Sequence, residues 1–318
     1  MRRRDRPDGE GRQTVVGGGG GVKGPILRKV HPMPLTTRPL TPDFGLEILD
    51  VDLRHLTDDL IAEIDALWVA HPVLLVRDQL LDEVQQIAFS KRLGEINIHV
   101  RTDIRSRSHP EVVMVSNLRL ENGDNIGALA SGEAKWHTDS CYKPKPDTGS
   151  LLYALEVPED GGKTAWANLQ LAYDALPDAI KAKLEGKRGA YAYNIFDVDI
   201  TGDDDVKNIR AKTPDVTHPM VLTQPVSGRK GLYLDPLQTY GIEGMAPAES
   251  RELLDELTTH VTRPEFVFEH KWRRGDIVLW DNCRVLHRRE PFDPMVPRLM
   301  KRTTIFLPPE RYPVPFQV

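Results

Sequence analysis

A mainly β domain with flanking helices is the fold class the sequence predicts, and three observations predict it. Short apolar runs of strand length crowd the chain from Ser150 onward, separated by turn signals such as Glu159-Asp160-Gly161-Gly162 and Arg273-Arg274-Gly275. Strands and helices do not alternate in the regular way a doubly wound parallel sheet requires. Two segments that carry metal-ligating residues, KWHTDS at Lys135 to Ser140 and VLWDNCRVLHRRE at Val278 to Glu290, fall among these strands. A site in the mouth of a β-barrel would lie there. The pattern reads as a sandwich or a barrel.

The elements follow in order. Thr37 to Leu53 holds short β runs, with Leu46, Ile48 and Val51 at core positions. Asp58 to Ala70 is an amphipathic helix on Leu60, Ile61, Ile64 and Leu67, capped by Thr57 or Asp58 and stopped at His71-Pro72. Val73 to Val76 is a buried strand, and Leu81 to Leu93 a second helix closed by Gly94. His99 lies in a short β-like stretch, INIHV, and Glu111 to Ser116 is an apolar strand. Asn117 to Glu133 has loop composition and leads into KWHTDS, as a lid or as an ordinary connector. Strands are expected at Ser150 to Glu156 and Thr164 to Ala167, and short helices at Leu169 to Leu176 and Pro177 to Leu184. Ala190 to Phe196 reads as β-like and Asp197 to Pro214 as an exposed acidic insertion. Met220 to Thr223 and Gly231 to Leu234 flank a hairpin signal at Ser227-Gly228-Arg229-Lys230. Pro247 to Thr262 is a helix with Leu253, Leu254, Leu257 and Val261 on one face. Phe266 to Trp272, Asp276 to Trp280 and Arg302 to Leu307 complete the strands.

Composition narrows the function. Hydrophobic residues are 40% of 318, enough for a sizeable core, and the formal net charge of −5 argues against a general nucleic-acid binder. Two cysteines, Cys141 and Cys283, do not make a disulfide framework and fit a reducing, cytoplasmic setting. No apolar run approaches the roughly 18–20 residues of a membrane helix. Residues 1–33, which open MRRRDRPDGEGRQTVVGGGGGVKGP, are basic, glycine-rich and poor in apolar side chains. They read as a disordered tail, or as sequence upstream of a true start at Met33, with residues 34–318 as a single domain. Oligomeric state is left open, a homo-oligomer included.

The chemistry starts from His137 and Asp139. On a strand, residues two apart point to one face, so an imidazole and a carboxylate could grip one ion. A third ligand is needed, and His287 is the candidate. Two histidines and a carboxylate form the facial triad of non-heme Fe(II) oxygenases, which keeps positions open for cosubstrate and dioxygen. Arg298 and Arg302 follow His287 closely in PRLMKRTT. Guanidiniums aimed into a barrel need anionic partners, either structural acids or a bound carboxylate. The remaining histidines His55, His71, His109, His218, His260 and His270 read as structural or solvated.

Four segments together resemble the taurine dioxygenase / 2,4-dichlorophenoxyacetate dioxygenase family of Fe(II)- and 2-oxoglutarate-dependent oxygenases. They are WHTDS at Trp136 to Ser140, EDGGKTAWAN at Glu159 to Asn168, VLWDNCRVLHR at Val278 to Arg288 and PRLMKRTT at Pro297 to Thr304. The resemblance runs from about Leu35 to about Leu307. It implies a double-stranded β-helix, or jelly roll, with flanking helices. It implies His137, Asp139 and His287 as iron ligands, and Thr164 and Arg298 as the pair that holds the distal carboxylate of 2-oxoglutarate. Arg302 then matches an anchor for an anionic substrate, and His99 a histidine that contacts substrate in some members. Fe(II), 2-oxoglutarate and O2 are the implied cofactor and cosubstrates. Related halogenases carry a small residue in place of Asp139, so the aspartate implies hydroxylation.

The chain also departs from the taurine-type pattern. It reads LYLDPLQTY at Leu232 to Tyr240, with Asp235, Gln238 and Tyr240, and Glu133-Ala134-Lys135 before the metal motif. Gln238 and Tyr142 are candidate substrate-binding residues, and Cys141 and Tyr142 are candidates to line the pocket. The segment around His287 is closer to phenoxyalkanoate-type members. Three readings follow: hydroxylation of a small anionic substrate (aryloxyalkanoate, sulfonate or alkyl sulfate), the same chemistry on a larger biosynthetic substrate, and a catalytically silent binding protein. The filled iron and cosubstrate positions argue against the third.

Overall fold

The computed structural model describes residues 34–99, 101–127, 129, 132–193, 213–313 and 316. The chain divides into two units, 1–33 and 34–318. The expected tail lies outside the described residues, as does most of the expected acidic insertion.

A large sheet is built from β1 (Thr37–Pro39), β2 (Leu46–Ile48), β3 (Val73–Val76), β15 (Ile277–Asp281), β7 (Gly149–Glu156), β17 (Leu299–Phe306) and β4 (Glu95–Asn97), in that order, with β5 (Val113–Ser116) also on β17. Its pairs are antiparallel except β2 with β3. A smaller sheet runs β14 (Val267–His270), β8 (Thr164–Asn168), β16 (Val285–Arg289) and β6 (Ala134–His137). Peripheral strands are β9 (Arg188–Tyr191), β10 (Val216–Pro219) and β13 (Thr239–Ile242) in one group, and the hairpin β11 (Val221–Thr223) with β12 (Lys230–Leu232). The helices are α1 (Asp58–Ala70), α2 (Glu83–Leu93), α3 (Leu169–Asp174), α4 (Asp178–Leu184) and α5 (Pro247–Val261).

The period-2 alternation of side chains sorts the core into layers. Leu152, Val278, Trp280 and Met300 of the large sheet cluster with Trp166, Val285 and Phe268 of the smaller one, so these faces oppose each other. Their chain neighbours Leu151, Tyr153, Ile277, Leu279 and Ile305 turn outward and pack with Ile64 and Trp68 of α1 and Phe89 of α2. Ala167 and Leu286, on the outer face of the smaller sheet, pack with Leu253, Leu254 and Leu257 of α5. Each fully buried aliphatic or aromatic side chain stabilises the fold by about 1.5–3 kcal/mol. β15 is buried along its whole length, so it is the central plank.

Local chemistry sets the ends of the elements. Thr57 caps α1 by accepting from Leu60 N, and Asp82 closes a capping box on α2 with Gln85. That box places the start of α2 two residues later than its apolar pattern suggested. The final strand starts at Leu299 rather than Arg302, and β9 starts before Ala190 and ends at Tyr191. His99 falls beyond β4 rather than on a strand. β10 and β13 were not expected; VTHP and TYGI are too polar, glycine-bearing and short to alternate visibly.

Candidate active site

The triad assembles from strand pairing. His287 of β16 and His137 of β6 are direct cross-strand partners, with ring centroids 4.1 Å apart. Cross-strand partners share a face, and His287 has the parity of Val285, so both rings sit on the inner face. Asp139 arrives by another route than strand alternation. β6 ends at His137, and Asp139 lies in the turn that follows, where Ser140 takes a φ of 59°. That left-handed backbone is uncommon for a side chain larger than glycine, and it turns the chain just after Asp139. Ligand atoms of His137, Asp139 and His287 all lie within 4.8 Å of one another.

Neighbouring groups fix what each ligand can offer. His137 Nδ1 donates to Lys135 O at 2.7 Å, which leaves the Nε2 lone pair free for a metal. His287 presents Nε2 toward Asp139 Oδ1 at 4.0 Å; its Nδ1 is buried without a partner among the described residues, and the ring packs 5.1 Å from Trp280. Burial pushes His287 down to about 3, with the positive charge of Arg302 adding to it against Asp139. The imidazole is therefore neutral and fit to ligate. Burial would raise the Asp139 carboxyl, but the Arg302 guanidinium and the Ser150 hydroxyl hold it well below the ordinary carboxylate range. Arg302 lies on β17 opposite Leu152, and its guanidinium donates to Asp139 Oδ1 at 3.2 Å.

A second cationic subsite adjoins the first. Thr164 on β8 is the cross-strand partner of Arg289 on β16, one pair along the same face from Trp166 and His287. Thr164 Oγ1 accepts from Trp272 Nε1 at 2.9 Å. Arg298, just before β17, is 1% exposed and its Nε has no hydrogen-bond partner among the described residues. Burial, with the charge of Arg289 second, pushes Arg298 down to about 9. Both guanidiniums lie over the Phe292 ring. The turn at Gly161 and Gly162 seats against this segment, and a Cβ on Gly161 would meet Pro291 O at 2.7 Å. A buried guanidinium with no carboxylate beside it among the described residues is costly. Such a group is chemically suited to an anionic oxygen.

The substrate candidates divide. His137 and Gln238 line a cleft of about 1340 Å³ with Tyr193, Arg101 and Arg289. Gln238 Oε1 is buried without a partner among the described residues. His99 accepts from Arg101 N through Nδ1, so its proton sits on Nε2. Burial, then Arg302, Lys143 and Arg101, push His99 down to about 4, leaving a neutral donor near Arg302. Tyr142 stacks edge-on against Tyr193 at 4.7 Å, and burial raises its hydroxyl. Cys141 is fully buried and is not among the residues that line the cleft.

Sequence reasoning passed over the supports. Asp235 is fully buried and accepts from Thr138 N, Leu237 N and Gln238 N. Burial pushes its carboxyl up, while His137 and those three N–H donors pull the other way. It ties the turn between the two ligands to the turn that bears Gln238. Ser150 of β7 donates to Asp139, and Asn282, just past β15, donates in turn to Ser150. A polar residue inside an apolar run was the available signal for all three.

Comparison with known proteins agrees with this geometry. Residues 36–304 match the model of the taurine catabolism dioxygenase TauD, TfdA family. An alpha-ketoglutarate-dependent 2,4-dichlorophenoxyacetate dioxygenase of Cupriavidus pinatubonensis is 35% identical over 86% of this chain and 98% of its own length. An alpha-ketoglutarate-dependent sulfate ester dioxygenase of Pseudomonas putida is 31% identical over 86% and 90%. The solved structure of AAD-2 with Mn(II) and N-oxalylglycine superposes with a TM-score of 0.71 at 31% identity, covering 86% of this chain and 97% of that one.

Proposed function

The chain belongs to the TauD/TfdA family and is an Fe(II)- and 2-oxoglutarate-dependent dioxygenase, an oxidoreductase; from that premise we propose that it hydroxylates a small organic anion of the aryloxyalkanoate, sulfonate or alkyl sulfate type. The observation that carries the substrate class is Arg302, a cation 3.2 Å from Asp139 on the inner face. The 2,4-dichlorophenoxyacetate and sulfate ester dioxygenases among its relatives act on acids of this kind.

In this reading residues 34–318 form one catalytic domain, and the two opposed sheets are the halves of a double-stranded β-helix. His137, Asp139 and His287 hold Fe(II). Thr164 and Arg298 hold the distal carboxylate of 2-oxoglutarate, Arg298 through a buried guanidinium that has no carboxylate beside it among the described residues. When bound, the iron and cosubstrate supply the oxidation, one oxygen atom going to succinate as CO2 is lost and the other to the substrate. The protein orients the target C–H and excludes water. Arg302 anchors the substrate's anionic group, His99 donates to it through Nε2–H, and Gln238 and Tyr142 border the remainder. Both cysteines are free and buried, consistent with a cytoplasmic setting. Among the described residues no helix is long and apolar enough to cross a membrane.

A panel of aryloxyalkanoates, sulfonates, alkyl sulfates and nucleotides, scored by substrate-dependent succinate release, tests the substrate class. Release with a member of the first three groups is expected. Release with nucleotides alone would contradict the reading.

A further inference from the structure

Asn282 directly follows β15 and is 1% exposed. Every polar group it owns is engaged. Its N–H donates to Thr148 O at 3.0 Å, and its carbonyl accepts from Thr138 Oγ1 at 2.8 Å. Its Oδ1 accepts from Trp280 Nε1 at 2.7 Å, and its Nδ2 donates to Ser150 Oγ at 3.1 Å. An indole N–H can only donate, so the Trp280 contact fixes which way the Asn282 amide faces. The amide nitrogen then faces Ser150 and can only donate to it. Ser150 must accept from Asn282, so its single proton goes to Asp139 Oδ2, 2.9 Å away. The chain of hydrogen bonds has one direction, and it ends on one oxygen of a candidate metal ligand. The other oxygen, Oδ1, is the one 4.0 Å from His287 Nε2 and 3.2 Å from Arg302.

We propose that Asn282 is a positioning residue that acts through Ser150, holding Asp139 so that Oδ1 alone is offered to the metal. Engaging Oδ2 keeps the carboxylate from closing both oxygens onto the ion and occupying a position the cosubstrate needs. The same residue steadies the rest of the triad. Its backbone carbonyl pins Thr138 between the two ligands of the β6 turn, and the Trp280 that its side chain fixes packs against the His287 ring. The inference rests on the reading of His137, Asp139 and His287 as a metal centre.

The test uses the full-length protein with Co(II) as the probe, titrated by its visible absorption, and thermal melting of the metal-free protein in parallel. Ser150→Ala and Asn282→Ala are each expected to weaken Co(II) binding by about 10- to 100-fold, the range seen when groups that orient metal ligands are removed. The double variant should lose no more than the larger of the two single losses, because the two residues act in one chain. Ser150→Thr, which keeps the hydroxyl, should bind like the wild type. If Asn282→Ala does not melt cooperatively, the Ser150 pair decides. Wild-type affinity in Ser150→Ala, or a double-variant loss equal to the product of the single losses, overturns the proposal; a purely structural role predicts lowered melting with unchanged affinity. A wild-type protein that does not bind Co(II), or a His287→Ala variant that still does, removes the metal-centre reading and this proposal with it.

Discussion

Asp139 carries two opposed demands: it is buried, which disfavours charge, and it must be charged to ligate. The Arg302 guanidinium resolves the conflict in favour of the carboxylate. Removing a histidine removes a ligand outright, so His137→Ala should abolish substrate-dependent succinate release; turnover at the wild-type rate would refute its assignment. The two arginines should separate kinetically. Truncating a buried charge-assisted contact costs about 2–5 kcal/mol, so Arg298→Ala should raise the KM for 2-oxoglutarate by at least about 30-fold and leave substrate KM much less affected. Arg302→Ala should do the reverse. Equal effects of both variants on both KM values would contradict the division of roles.

At the scale of elements, the site depends on β6 lying in register with β16, and on β15 as the plank from which Asn282 projects. Leu279 is fully buried in the middle of β15. Leu279→Ala should destabilise the protein by about 2–5 kcal/mol, read as a lower urea midpoint. The cap on α1 is worth less: Thr57→Ala should cost about 1 kcal/mol. Strands that are continuous apolar runs, such as β3, β7 and β15, were legible in the sequence because such runs report burial on both faces directly. The turn that carries Asp139 was not, because nothing in the pattern of residue types marks the end of β6 at His137. A polar strand such as β13 was equally hidden, since its pairing with β9 is a tertiary fact.

For the molecule as a whole, the histidines set the response to acid. Burial lowers His99 to about 4, and it also lowers His71 and His218, in His71 with help from Arg284. A histidine depressed in the fold is protonated first in the unfolded chain, whose value is about 6.5. Stability from these groups is therefore full above about pH 6.5 and declines as pH falls toward about 4. The urea midpoint of the metal-free protein should be lower at pH 5.5 than at pH 8, and equal midpoints would contradict this. The four motif segments were legible because each lies close to a functional atom. Their convergence was not, since periodicity does not reveal which distant strands pair. The most direct measurement is an anomalous difference map from crystals soaked anaerobically with Fe(II). A single peak is predicted within about 2.0–2.2 Å of His137 Nε2, Asp139 Oδ1 and His287 Nε2, the distance at which imidazole and carboxylate bind such an ion. A peak elsewhere, or none between these side chains, would contradict the account.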